Sequence, residues 1–259
     1  MKISILGSGW LGLPLANDLI THGHTINLST RSVDKIATFA NGLFLPYLID
    51  IDKLLDNINV FLSADLLIIN ITSKNSDSFA QLIKYIEQST IKNVLFVSSS
   101  SVYQSVRGVV EEDNGLESTH STLYQIEQMF TSNTHFETTI LRLSGLIGYS
   151  RHPGNFFKNG KVVQQPDAPV NLIHRDDCIG IINAIIKQKA WGEIFNGCAS
   201  THPTKRKFYS HARYLLNLSE PEYDRESDRN THKIVSNKKS IEQLNYQYQY
   251  PDVMTITYD

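Results

Sequence analysis

Lys2-Ile-Ser-Ile-Leu6, Gly7-Ser-Gly-Trp-Leu-Gly12 and Leu13-Pro-Leu-Ala16 follow one another without a break at the start of the chain. The first segment reads as a short strand. Gly7, Gly9 and Gly12 then keep the G-x-G-x-x-G spacing, and Leu13, Leu15, Ala16, Leu19 and Ile20 recur at helical intervals. Strand, glycine turn and helix in this order form the opening of a dinucleotide-binding unit. Gly7 permits the tight turn, Gly9 lets the backbone approach a pyrophosphate, and Gly12 lets the helix pack closely on the strand. Ser8, Trp10 and Leu11 lie between the glycines and are read with them as cofactor contacts. The free N–H groups and the positive dipole end of the helix would hold the pyrophosphate. Pro14 falls in the first turn, where the N–H groups have no intrahelical partner to lose. A secretory signal peptide is the rival reading, but glycines and Pro14 interrupt the apolar run and Asn17 and Asp18 close it.

Further along, His24 to Ser29 reads as the second strand and Thr30-Arg31-Ser32 as its end. An acid there would bind the ribose 2′-hydroxyl of NAD, whereas an Arg accommodates the 2′-phosphate of NADP. Positions 29 to 32 hold no acid but include Arg31, so Arg31 and Ser32 are read as contacts to NADP, with NAD the alternative. Residues 42–48 suggest a third strand. Asp65-Leu-Leu-Ile-Ile-Asn-Ile71 is apolar in the manner of a buried parallel strand, and Asn70, Ile71 and Thr72 at its carboxyl end would face the cofactor. Residues 79–86 are helical, 93–103 are a strand with a hydroxyl-rich carboxyl end, and 139–145 are another buried strand. Residues 172–187 read as a helix, with Asp176 or Asp177 as its cap. Alternation of strands and helices predicts an α/β fold, a doubly wound, Rossmann-like parallel sheet. The expected organisation is a dinucleotide-binding domain over 1–150, joined by 172–198, and a small substrate-binding lobe over 151–171 and 199–259 without an independent core.

Composition narrows the function classes. The 259 residues carry a net charge of −2, which argues against a nucleic-acid partner. No apolar stretch has the length of a membrane span. The two cysteines, Cys178 and Cys198, lack metal-ligand spacing and suit a reduced, cytoplasmic protein. No metal site is expected. Arg142, set in an apolar strand, needs a partner if it is buried.

The order of motifs resembles the extended short-chain dehydrogenases/reductases, in particular the NAD-dependent epimerase/dehydratase branch. The resemblance rests on Gly7–Gly12, Phe96-Val-Ser-Ser-Ser-Ser-Val-Tyr103, Tyr124 with its following helix, Leu141-Arg-Leu-Ser-Gly-Leu-Ile-Gly148 and Leu172-Ile-His-Arg-Asp-Asp177. It extends to a small bacterial subgroup that opens with G-x-G-W-L-G and ends in a stretch matched here by Ser236-Asn-Lys-Lys, Leu244 and Tyr250-Pro251. The family implies that Ser99, four residues before Tyr103, polarises a substrate oxygen, with Ser100 and Ser101 as neighbouring alternatives. It also implies that Tyr124 is the catalytic tyrosine. Four residues after Tyr124 the family carries a Lys that binds the nicotinamide ribose; this chain has Gln128. Gln128 shares a helix face with Tyr124 and can bind a ribose, but it brings no charge.

Two functions follow from these residues. The leading one is an NAD(P)-dependent oxidoreductase or epimerase-like enzyme acting on a carbonyl or alcohol of a small molecule. Nucleotide sugars are the substrate class the family uses most. The alternative, prompted by Gln128, is a cofactor-binding sensor or scaffold that has lost catalysis. Substrate, direction and oligomeric state are not encoded in any motif above.

Overall fold

The computed structural model describes residues 1–40, 43–53, 56–158, 160–224 and 232–258. Contacts divide the chain into two compact units. The first comprises Met1–Val102, Glu117–Arg142 and Ile185–Phe195. The second comprises Tyr103–Leu116, Leu143–Ala184 and Asn196–Asp259.

Alternating strands and helices open the first unit: β1 (Lys2–Leu6), α1 (Gly12–Thr21), β2 (Thr25–Thr30), α2 (Val33–Ala40), β3 (Phe44–Leu48), α3 (Ile58–Phe61), β4 (Leu66–Ile69), α4 (Ser76–Glu87) and β5 (Asn93–Ser99). After β6 (Gly108–Val110), α5 (Thr122–Thr131) and β7 (Glu137–Leu143) continue it. The expected third strand begins at Phe44; Gly42, where the sequence suggests its start, lies outside the described residues. The remaining elements are β8 (Gly145–Ile147), β9 (Leu172–His174), α6 (Arg175–Gln188), β10 (Ile194–Gly197), α7 (Lys205–Tyr214), β11 (Lys233–Val235) and α8 (Lys238–Gln243). The central sheet has seven strands in the order β10-β7-β5-β4-β1-β2-β3. From β3 to β5 the neighbours pair in parallel, with Ile3 opposite Ile26 and Leu66, and Ile69 opposite Phe96. This is the doubly wound α/β sheet that the alternation predicts.

Strand order reverses at β1. The chain runs outward through β2 and β3, then returns to place β4 on the other side of β1. At such a switch point the loops leaving the two strands diverge and open a crevice at their carboxyl ends. Below it the apolar runs form a core that includes Leu6, Phe61, Phe79, Phe96, Ile126 and Phe130, with Phe79, Phe96 and Phe130 in mutual ring contact at 5.2–5.9 Å.

The second unit corrects one expectation, because it has an apolar core of its own. Ile147, Val163, Val170, Leu172, Phe208, Tyr209, Val253 and Ile256 cluster together, contributed by segments far apart in sequence. Its strands are three residues long and pair across the chain, β6 with β11 and β8 with β9. Residues 172–174 are therefore strand rather than helix, and α6 starts at Arg175. Asp177 is fully buried in the first turn of α6, and its role is not that of a simple cap. Its carboxylate accepts hydrogen bonds from the Tyr246 hydroxyl (2.9 Å), the Gln249 N–H (2.7 Å) and the Tyr250 N–H (3.0 Å). The tyrosine-rich segment is thus a docking strip: Tyr248 shares a hydrogen bond with Ser240 (2.9 Å), and Tyr250 lies on the His174 ring at 3.8 Å.

Candidate cofactor and catalytic site

A cavity of about 550 Å3 opens at the switch point, lined by Gly7, Ser8 and Gly9 after β1 and by Asn70, Ile71 and Thr72 after β4. Arg31 and Ser32, at the end of β2, line it too. Eight of the predicted cofactor residues therefore meet in one place. Trp10, Leu11 and Gly12 are not among its lining residues; they lead into α1, and Leu11 is buried.

The three glycines are required for different physical reasons. Gly7 has φ +108°, and a Cβ there would lie 2.3 Å from the Asn70 carbonyl oxygen. A Cβ on Gly12 would lie 1.9 Å from the Gly7 carbonyl oxygen, so the first turn of α1 can seat on the strand only without a side chain. Gly9 differs: nothing lies within 4 Å of where its Cβ would be. Its missing side chain leaves room for a ligand, not for protein. No side chain caps α1, and its first turn holds no acid, so the positive helix end faces the crevice uncompensated. Ser29 steadies the turn by accepting a hydrogen bond from the Gly7 N–H at 2.8 Å.

Several lining residues belong to no sequence motif. Lys35, in the first turn of α2, joins Arg31 at the cavity, and both are exposed. Ile49-Asp50-Ile51-Asp52 follows β3 into the cavity, with Asp50 paired to Lys53 at 3.5 Å and Asp52 accepting from the Ser73 hydroxyl at 3.3 Å. The signal for them was the alternation of apolar and acidic residues directly after a strand. Among the described residues no cluster of His, Cys, Asp and Glu is arranged to hold a metal, and no helix is long and apolar enough to cross a membrane.

The predicted catalytic residues belong to the same unit but do not line this cavity. Ser99 ends β5, where the strand turns into a 3-10 segment over Ser100–Val102. Ser99 is half-buried, and its Oγ accepts the Ser101 N–H at 3.1 Å. That bond leaves the hydroxyl proton of Ser99 free to be donated. Its neighbour Ser98 is buried and committed, donating to Glu127. Tyr124 is half-buried in the first turn of α5, where Ser121 caps the helix by accepting the Tyr124 N–H. Gln128, one turn on, is exposed.

Behind Tyr124 lies a buried charged cluster, which supplies the partners that a buried Arg142 needs. Arg142 is fully buried and has two carboxylates: Glu117 at 2.5 Å from Nη1 and Glu127 at 2.7 Å from Nη2, with Nε also 3.2 Å from Glu127. Its guanidinium carbon is 6.0 Å from the centre of the Tyr124 ring. Burial pushes the Glu127 carboxyl up, while Arg142 and Ser98 pull against that shift. The cluster ties β5, α5 and β7 together.

No family model matches the chain. The protein YeeZ of Escherichia coli (strain K12) is 31% identical over 270 residues, which covers 98% of this chain and 98% of that protein. Among solved structures, the UDP-glucuronic acid 4-epimerase of Bacillus cereus, in complex with UDP-glucuronic acid and NAD, superposes with a TM-score of 0.78 at 18% identity, covering 96% of this chain and 94% of its own. The human epimerase family protein SDR39U1, with NADPH, superposes with a TM-score of 0.69 at 15% identity, covering 98% and 97%. The fold is therefore the one that these two solved structures share, and by sequence the chain belongs to the family of Escherichia coli YeeZ.

Proposed function

We propose that the chain is an NADP(H)-dependent oxidoreductase that acts on a carbonyl or alcohol of a small molecule. The observation that carries this reading is that Arg31 and Lys35 open into the same cavity as the glycine turn, while β2 ends in Thr30 with no acid. A ribose 2′-phosphate needs cations at that point, and a bare 2′-hydroxyl needs a carboxylate. Asp50 and Asp52 also line the cavity, but Lys53 and Ser73 already engage them. The neighbours crystallised with NAD and with NADPH support a nicotinamide cofactor in general. The buried thiols Cys178 and Cys198 suit the reducing cytoplasm, and burial pushes Cys198 up to about 12. Calorimetric titration with NADPH and NADH tests the cofactor reading. Tighter NADPH binding is expected; equal affinities would refute the preference, and binding of neither would refute the site.

When bound, the cofactor supplies or accepts the hydride. The protein supplies the rest. Ser99 would orient the substrate oxygen by donating a hydrogen bond to it from its hydroxyl, and Tyr124 would give that oxygen the one proton that turns a carbonyl into an alcohol. Gln128 can hydrogen-bond the cofactor ribose through its amide. A nucleotide sugar, as in the B. cereus epimerase, is one substrate class; a smaller carbonyl compound fits the same chemistry. A second reading, a cofactor-binding sensor without turnover, is favoured by the neutral, exposed Gln128. NADPH binding with no hydride transfer across a carbonyl panel is its expected signature.

A further inference from the structure

We propose that the hydrogen bond between Ser73 and Asp52 is a strap across the cavity at the switch point, and that it must part for a dinucleotide to enter or leave. The inference rests on that cavity being the nicotinamide-cofactor site of the proposed function. It starts from the strand order. β3 and β4 are not neighbours, because β2 and β1 lie between them. Three strand spacings, about 14 Å, therefore separate their carboxyl ends. Asp52 is four residues beyond Leu48, the end of β3, and Ser73 is four beyond Ile69, the end of β4. Yet the Ser73 hydroxyl donates to the Asp52 carboxylate, 3.3 Å from each oxygen. An extended four-residue segment spans about 14 Å at most, so the two loops meet by reaching toward each other. They do so beside the ends of β1 and β2, where Gly7 and Thr30 line the same cavity.

Both arms line the cavity without interruption, residues 49–53 from β3 and residues 70–73 from β4. Each arm is held locally. The Ser73 hydroxyl oxygen accepts the Asn75 N–H at 3.2 Å, and Asn75 caps α4. The Asp52 N–H donates to Asp50 at 3.3 Å, and Asp50 pairs with Lys53 at 3.5 Å. The joint between the arms is different, because Asp52 and Ser73 are both exposed. A hydrogen bond that competes with water contributes little net stability, so this one breaks and re-forms readily. The 2′-phosphate at Arg31 and Lys35 and the pyrophosphate at Gly9 fix two points of the ligand, and the nucleoside between them lies against the arms. The strap then closes the arms around it, and exit waits for the strap to part.

The test measures NADPH association and dissociation on the full-length protein by stopped-flow fluorescence. Ser73→Ala removes the donor without changing charge, and Ser73→Thr keeps it. Ser73→Ala is expected to raise both rate constants about three- to tenfold, the range of one hydrogen bond, with Kd changed less than about twofold. Ser73→Thr should stay near wild type. Asp52→Ala breaks the same bond and should also raise the dissociation rate, a direction that loss of an anion beside an anionic ligand cannot produce. It carries the test if Ser73→Ala does not fold. Adding Ser73→Ala to Asp52→Ala should change nothing further, which separates the strap from the Ser73–Asn75 turn. Hydrogen exchange without cofactor gives a second readout. Ser73→Ala should speed exchange on the other arm, at the Asp52 and Lys53 amides that bond to Asp50. Unmoved exchange there would overturn the strap. Rates unmoved in both single variants would overturn the gate, and so would a rise in dissociation alone, the mark of a fixed wall. A wild type that binds neither NADPH nor NADH would remove the cofactor reading and the gate together, whereas normal binding with unmoved rates removes the gate only.

Discussion

Replacing the glycines of the first turn one at a time should separate folding from binding. In Gly12→Ala the new Cβ would lie 1.9 Å from the Gly7 carbonyl oxygen and 2.9 Å from the Asn70 side-chain nitrogen. The first of these is backbone and cannot swing aside, so α1 must move outward by more than an ångström. Overpacking of that kind costs about 3 kcal/mol, the upper end of its usual range. For a chain of this size that lowers Tm by about 6–12 °C. In Gly9→Val nothing lies within 4 Å of the added Cβ, so the stability change should stay within about 0.5 kcal/mol, or roughly 2 °C. Yet the valine occupies the space in which the pyrophosphate would lie. NADPH affinity should fall at least about 100-fold, or roughly 2.7 kcal/mol. Differential scanning fluorimetry gives the first quantity and NADPH fluorescence titration the second. A Gly9→Val protein that binds NADPH normally, or that melts as early as Gly12→Ala, would refute the division of labour among the glycines.

Arg31→Ala should weaken NADPH by about 1.5–3 kcal/mol, the loss of a charge-assisted hydrogen bond, and barely alter NADH; calorimetry with both cofactors reads the difference. Tyr124→Phe should cut turnover by about 10²–10⁴ on any carbonyl substrate that gives a signal, and full activity would remove Tyr124 from the mechanism. Gln128→Lys should move the pH optimum of that activity downward, and a sensor without catalysis should show no activity for either change to alter. Stability should also fall on acidification through His174. Burial lowers its folded value against an opposing pull from Asp176, so the unfolded chain takes up the proton first, and stability drops as pH falls below the ordinary histidine value of about 6.5. Buried carboxyls such as Asp177, pushed up by burial, act in the opposite sense. The informative quantity is therefore the difference between wild type and His174→Gln in urea midpoints at pH 7.5 and 5.5, which should shrink at the lower pH.

The first unit was legible because its signals are local. The glycine spacing, the run Leu66–Ile69 and the serines that end β5 each declare themselves within a few residues. What stayed hidden depends on long-range pairing. β6 and β11 are three residues each, too short to show a period, and they exist because Gly108 and Lys233 find one another. The second unit's core hid for the same reason, since Ile147, Phe208 and Val253 lie in three unremarkable stretches. Arg142 was visible as an anomaly, but its partners Glu117 and Glu127 read as ordinary charges on a loop and a helix. Position 128 could be compared with a known pattern, whereas the cluster behind it could not. Lys35, in the first turn of α2, and Asp50, after β3, line the cavity through tertiary geometry that no motif records.

The Asp177 carboxylate has a consequence for how this chain is made. Its three donors come from Tyr246, Gln249 and Tyr250, about seventy residues later. While the ribosome is still translating the intervening stretch, α6 can coil but its carboxylate has no native donor, and the acid must stay in water until those residues emerge. The second unit therefore closes only after Tyr250 has been made, whereas the β1-to-β5 run of the first can pair as it leaves the exit tunnel. A chain cut between α6 and Tyr246 would keep a charge in the first turn of α6 that can no longer be sealed from water.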